Sequence, residues 1–510
     1  MDESNNRSNN ICNLALDIVV FVCGAVVMTY EIIGSRILAP FIGTSTYVWT
    51  SLIGVILAAL SLGYWLGGRM ADRHPDVKIL AAVIFIAGGL VSFTTLAKEV
   101  VLSAISAANV GLEFKSVIAA LILFAPASVA LGFVTPFAVR LRMSSIGEVG
   151  KTVGRLYALS TVGSIVGTFA AGFFLIPFVG SVRTLYVIAA CLFGVSILLV
   201  PFALSRVNVS VLLLFLLGIS VSELSRYGLL YAYDLHDIDT EYSRVQVFRS
   251  TDRKTDQPIQ ALSFDPYSTQ SAMFVDSEEL VFEYTKFYHL IHSIKPNFQR
   301  SLMIGGAGYS FPKSYLAAYP NALLDVVEID QRMTEIARQF FRLQDNTNLR
   351  IVHEDGRVYL NRAESGQYDA VLMDAFGSLL SVPFQLTTRE AVQNISRVLK
   401  DDGVVIFNLG SAIDGPSSKF LQAEFRTYQD VFPRVYLFKV APERPDEDLQ
   451  NLIMVACKAD CLPAQSTGDP SIDSLLTRRY TSNFPLTLPA LTDDLAPVER
   501  FNSIAQNQSR

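Results

Sequence analysis

The chain is almost wholly apolar up to about Ser222 and becomes an ordinary mixed sequence beyond it. Crossing about 30 Å of hydrocarbon takes a helix of about 20 apolar residues. Runs of that kind occur near 14–39, 48–68, 79–97, 116–139, 153–178 and 181–204. A seventh, 207–223, is shorter and ends at Glu223. Helices satisfy their own backbone groups where no water can, so the first half is expected to be a multi-pass α-helical membrane bundle over residues 1–225, with six or seven spans. The overall composition, 51% hydrophobic and 17% charged, reflects this half. The N-terminus lacks a basic region and a small-residue cleavage site, so residues 14–35 read as a retained helix, not a removed signal.

Charge divides at the same join. Residues 1–225 hold 13 Lys/Arg and 10 Asp/Glu, and residues 226–510 hold 28 and 37. An acidic second half is a poor nucleic-acid partner, because neutralising phosphates takes clustered Lys/Arg. It suits a small cationic or neutral substrate. The partners expected are a lipid bilayer and a small molecule of that kind, with no nucleic acid; a homo-oligomer is compatible with the sequence. Of the cysteines, Cys12, Cys23 and Cys191 lie in apolar segments, and Cys457 and Cys461 are spaced CxxxC. No second Cys/His pair completes a zinc set, so no metal is expected, and nothing suggests a disulfide scaffold.

Within the apolar half, Gly63/Gly67 and Gly163/Gly167 have the spacing that lets helices approach closely. Glu31 and Arg36 stand in the first span, where charge reads either as function or as a structural ion pair. Residues 67–73, Gly-Gly-Arg-Met-Ala-Asp-Arg, resemble the loop between the second and third helices of major-facilitator transporters.

From Ser301 the pattern alternates. Strands are expected at Ser301–Ile304, Leu323–Ile329, Leu349–His353, Tyr368–Asp374 and Val404–Leu409, with helices at Phe311–Tyr319, Gln331–Phe341 and Thr388–Leu399. Short strands and a helix near 279–293 precede them. Such alternation argues an α/β Rossmann-like fold, a parallel sheet with helices on both faces. Its ligands bind at the carboxyl ends of the strands. The divisions expected are 226–295, a small β-rich part; 296–460, the Rossmann-like nucleoside-binding domain; and 461–510, a tail.

The chemistry concentrates at those strand ends. Gly305, Gly306 and Gly308 follow the first strand and open a helix, where glycine lets the backbone approach a ligand. Glu328 closes the second strand, at the offset where an acid accepts hydrogen bonds from ribose hydroxyls. Asp355 and Gly356 follow the third strand, where an acid can take an adenine amino group. Asp374 ends the fourth. Any one acid could be a helix N-cap; the matched set points to a nucleoside site.

These residues carry a family resemblance. Ile304–Gly308, Val327–Asp330, Glu354–Gly356, Asp374–Phe376, Leu386–Ala391 and Leu491–Glu499 resemble the spermidine synthases (polyamine aminopropyltransferases), and the whole chain is similar to their membrane-fused branch. The resemblance implies a transferase that moves an aminopropyl group from decarboxylated S-adenosylmethionine to an amine. Glu328 would hold ribose, Asp355 adenine, and Asp374 would be the general base. Gln270 and Tyr284 would line the amine channel. Departures accompany it. The family's Gly-Gly-Gly-Asp-Gly loop has Ala307 and Gly308 in its third and fourth places. The second catalytic-loop acid is Gly377. Tyr-His-Glu is Tyr284-Thr285-Lys286. Three features that hold cations are therefore missing, and unpaired buried ammonium groups are costly; Asp493 and Asp494 are candidate replacements. Two rival readings follow. One is a methyl or aminocarboxypropyl transferase using S-adenosylmethionine itself. The other is a transport or nucleoside-sensing membrane protein without catalysis. Because nucleoside sulfonium donors are made in the cytoplasm, the second half is expected there. The basic loops after the second, fourth and sixth spans put the N-terminus inside, so residues 207–223 would then lie in the interface, unless the span count is off by one.

Overall fold

The computed structural model describes residues 2–108, 110–143, 149–200, 206–266, 268–375, 382–461 and 469–508. Two compact units emerge. Unit 1 is Met1–Ala232 with Ile238–Arg244, and unit 2 is Tyr233–Asp237 with Val245–Arg510.

Unit 1 is helical. Asn13–Ile42, Thr46–Arg73, Val77–Ala107, Val149–Val179, Ser181–Leu199 and Asn208–Tyr233 are each long and apolar enough to cross a membrane. Leu112–Leu123 and Ala125–Arg142 form a further pair bent by 52°. Pro126 lies in the first turn after the break; its missing N–H and its ring interrupt the ladder. The carbonyl of Leu123 at the break instead accepts from Tyr30 Oη at 2.9 Å and Thr94 Oγ1 at 2.8 Å. The stretch expected to stop at Glu223 runs on to Tyr233. Its charge does not end the helix because Arg183 donates to both carboxylate oxygens at 3.1 Å. The glycine pairs do pack helices: a methyl on Gly63 would strike the Val129 carbonyl, and one on Gly163 or Gly167 the carbonyl of Phe21 or Ala25. Asp17 takes both Arg142 and Arg155.

In unit 2, β1 (His236–Asp239) marks the passage between units, and β2 (Arg244–Thr251), β3 (Pro258–Ser263) and β4 (Ser271–Phe274) pair antiparallel. The main sheet has β5 (Arg300–Ile304), β6 (Leu323–Glu328), β7 (Leu349–His353), β8 (Tyr368–Met373), β9 (Leu399–Ser411), β10 (Arg434–Lys439), β11 (Gln450–Cys457) and β12 (Arg479–Tyr480), in the order β12-β10-β11-β9-β8-β5-β6-β7. From β9 to β7 all pairs are parallel. Every residue of β8 is buried, as a strand covered on both faces requires.

The expected all-parallel sheet is therefore corrected to a mixed one. The β10–β11 hairpin and β12 add antiparallel strands, and β9 runs well beyond Val404–Leu409. The helix near 279–293 is three short turns, Glu283–Lys286, Phe287–His289 and Leu290–Ile294. The cysteine expectation also changes: Cys457, closing β11, is disulfide-bonded to Cys461, the three residues between them bending the chain back.

Candidate functional site

The chain passes from β5 outward to β6 and β7, then returns to β8 on the other side of β5. The reversal opens a crevice between β5 and β8, where open α/β sheets hold ligands. Register brings the ends level: Ile304 pairs with Val327 and Met373, Glu328 with His353, and Met373 with Phe407. The residues just beyond each strand thus share one rim.

The glycine turn forms the floor. Gly305 has φ +95° and presses against the carbonyl of Asp374. A methyl on Gly306 would lie 2.6 Å from the Tyr309 ring. Ala307 takes φ +41°, a left-handed conformation that costs a residue with a side chain. Glu328 reaches across from β6. Its Oε2 accepts from Gly306 N at 2.8 Å and Ala307 N at 3.1 Å, and its Oε1 from Asp330 N at 3.1 Å. Burial raises its pKa, and the backbone N–H groups offset part of the rise. Asp355 N-caps the helix Gly356–Arg362, accepting from Arg357 N at 2.8 Å and Val358 N at 3.0 Å. Gly356 lets that helix approach β5; a methyl there would meet Ile304 Cγ2 at 2.7 Å.

Asp374 forms the opposite wall. Its backbone N–H bonds the Ile304 carbonyl at 2.9 Å. Its Oδ1 accepts from Asn408 Nδ2 at 3.3 Å, and Oδ2 faces Tyr284 Oη at 3.5 Å. Burial pushes its pKa up to about 6, against hydrogen bonds from Asn408, Tyr288 and Tyr284 that lower it. Burial first, and then the charge of Asp374, push both tyrosines well above the usual phenol value. Tyr288 also donates to the Met373 carbonyl at 2.9 Å.

A small pocket of about 20 Å³ lies between these walls, lined by Gln270, Tyr284, Thr285, Gly306, Ala307 and Asp374 among others. Gln270 closes its own loop, accepting from Phe264 N at 2.8 Å and donating to Asp265 at 3.0 Å and Ser268 at 2.7 Å. Gly308 stands behind the turn, where an added Cβ would lie 2.5 Å from Ser271 Oγ; no acid fits there without a shift. Lys286 is drawn to Glu283 at 3.1 Å. Asp493 is spent elsewhere, on Arg357 at 2.7 Å and Thr388 at 2.6 Å, and Asp494 is exposed. Neither lines the pocket. Gly377 lies outside the described residues. Asn408 and Tyr288 escaped sequence reasoning; the signal for Asn408 is a single amide inside the apolar run Val404–Leu409.

A family model for the spermine/spermidine synthase domain matches residues 281–441. The polyamine aminopropyltransferase of Vibrio vulnificus is 31% identical over 216 residues, 41% of this chain and 68% of that protein. That of Clostridium acetobutylicum is 24% identical, covering 35% and 65%. An N-terminal histidine N-methyltransferase of Emericella nidulans is 30% identical over 165 residues, covering 31% and 28%. Among solved structures, a probable spermidine synthase from Corynebacterium glutamicum matches 51% of this chain and 92% of its own, at 21% identity and a TM-score of 0.40. Among the described residues no group of three or more His, Cys, Asp or Glu is placed to hold a metal.

Proposed function

The chain belongs to the polyamine aminopropyltransferase (spermidine synthase) family, whose members are transferases, and from that premise we propose that it moves an aminopropyl group from decarboxylated S-adenosylmethionine to an amine, with Asp374 as general base. The observation that carries this reading is Asp374 itself, a carboxylate at the end of β8 that faces the pocket and is oriented by Asn408 and Tyr284. An alkylammonium has a pKa near 10, close to the lysine reference, so at neutral pH its lone pair is occupied by a proton. The carboxylate first pairs with that cation. As the nitrogen attacks the propyl carbon beside the sulfonium, the C–N bond forms, the C–S bond breaks and methylthioadenosine leaves. The ammonium proton passes to Asp374. The glycine turn, Glu328 and Asp355 hold the nucleoside.

A pH–rate comparison of wild type with Asp374→Asn tests the role. The mutant's deficit shrinks as pH rises toward the amine's own pKa, since more acceptor is then already neutral. A deficit constant with pH would remove Asp374 from proton transfer.

A second reading, methyl or aminocarboxypropyl transfer from S-adenosylmethionine, is favoured by one observation. The acid that would hold the donor's ammonium is absent at Gly308, and the space there is filled by Ser271 and Phe341.

Unit 1 anchors this chemistry in a bilayer; its apolar helices support that reading. The donor is made in the cytoplasm, so unit 2 is placed there, with Asn208–Tyr233 along the interface. An exposed cysteine at Thr347→Cys tests it: labelling by an impermeant reagent in intact cells would put unit 2 on the other face and Asn208–Tyr233 across the membrane.

A further inference from the structure

Unit 1 holds a polar feature that transfer chemistry in unit 2 leaves unused. Glu31 lies half-buried within the helix Asn13–Ile42. The cation nearest in sequence, Arg36, does not pair with it, because Arg36 donates to the Thr240 carbonyl instead. Among the described residues Glu31 has no hydrogen-bond or ion-pair partner. A carboxylate at membrane depth is expensive and marks a functional site unless it is paired.

Its surroundings indicate what would pair with it. Val20, Gly24, Val27 and Glu31 follow helical spacing and share one face. Against the first three lies a cavity of about 50 Å³, whose polar lining includes Tyr64, Thr135 and Ser160. From Gly24 to Glu31 is about 10 Å along the helix at 1.5 Å per residue. Tyr30, the residue before Glu31, donates to the Leu123 carbonyl at the break, so the first helix packs against an interrupted one at this level. Interrupted helices at membrane depth are where membrane proteins build ligand sites.

We propose that unit 1 binds a linear alkylammonium, a diamine or polyamine, with one ammonium on Glu31, its methylenes along Val27 and Gly24, and a second nitrogen on the hydroxyls of the cavity. A hard dication is a poorer fit, since it needs six or more oxygen ligands and the site offers one carboxylate, the four hydroxyls of Tyr64, Thr135, Ser160 and Ser164, and mostly aliphatic walls. The ligand class is that of the acceptor proposed for unit 2 and rests on that reading; the site itself does not.

The test uses the full chain in lipid nanodiscs and radiolabelled 1,4-diaminobutane, without nucleoside. Wild type shows two classes of site. Asp374→Asn weakens the one in unit 2. Glu31→Gln weakens the other about tenfold or more, the loss expected for a charge-assisted contact, while Glu31→Asp restores most of it and turnover stays at the wild-type level. An isotherm for Glu31→Gln that superimposes on wild type overturns the proposal. Should Glu31→Gln lose binding and turnover together, Thr135→Val decides. It keeps the volume and removes a hydroxyl. Several-fold weaker membrane-site binding with normal turnover supports the site, and unchanged binding overturns it. If Asp374→Asn instead leaves transfer intact, the reading of unit 2 falls while the Glu31 isotherm still decides this one.

Discussion

The two sides of the β5–β8 crevice differ in where their residues come from. On the side proposed for the nucleoside, Gly305, Gly306, Glu328 and Asp355 each follow or end a strand of the parallel sheet, and the two acids are bonded to backbone N–H groups of the strand-end turns. On the side proposed for the amine, Gln270, Tyr284, Asp374 and Asn408 come from four separated stretches, and the bonds about Asp374 are long, 3.3 and 3.5 Å. A rim built from local turns is preorganised before any ligand arrives. A wall assembled from distant segments has slack to tighten around an amine, as catalytic hydrogen bonds do on binding.

The largest effect expected is on the amine side. Asp374→Asn should lower turnover by about 10²–10⁴-fold, with nucleoside affinity nearly unchanged, measured as kcat and as Kd for methylthioadenosine. A parallel fall in affinity would break the division between the two sides.

The same substitution should stabilise unit 2 at neutral pH. The Asp374 pKa rises from 3.8 to about 6. A raised acid contributes stability below pH 3.8, which is lost as pH climbs through about 6. At about 1.4 kcal/mol per unit the ceiling is roughly 3 kcal/mol, and solvent at its exposed edge reduces this. Thermal unfolding should therefore favour Asp374→Asn at pH 7 and show no difference at pH 3.5. A mutant less stable at pH 7 would mean that the carboxylate serves the fold.

On the nucleoside side, Glu328→Gln should weaken methylthioadenosine by roughly 1–3 kcal/mol, read by calorimetric titration, since an amide offers one acceptor where the turn and ribose need two. An unchanged affinity would place the nucleoside elsewhere.

The smallest effect sharpens the same side. Ala307 holds φ +41°, so Ala307→Gly should stabilise unit 2 by about 1 kcal/mol, seen as a higher Tm. No gain would mean that the turn relaxes around the methyl at no cost.

The contrast also explains what could be read in advance. Strand–turn–helix units carry their signals in a few consecutive residues, so β5 to β8 and the acids at their ends were legible. Asn408 was not, because its neighbour Asp374 is set by the β8–β9 register and not by spacing. The β10–β11 hairpin was missed because apolar runs without alternation do not declare their direction. Asn208–Tyr233 was cut short at Glu223, whose partner Arg183 lies 40 positions away. Pairing of Cys457 with Cys461 needed the turn after β11, which spacing alone leaves open.

The central claim is propyl-group transfer from a decarboxylated donor. Its most direct test is mass spectrometry of the nucleoside released when the full chain in nanodiscs turns over with an amine and both donors present. The account predicts methylthioadenosine, formed only with the decarboxylated donor. S-adenosylhomocysteine would contradict it in favour of methyl transfer, and release of neither would leave a nucleoside-binding protein without this chemistry.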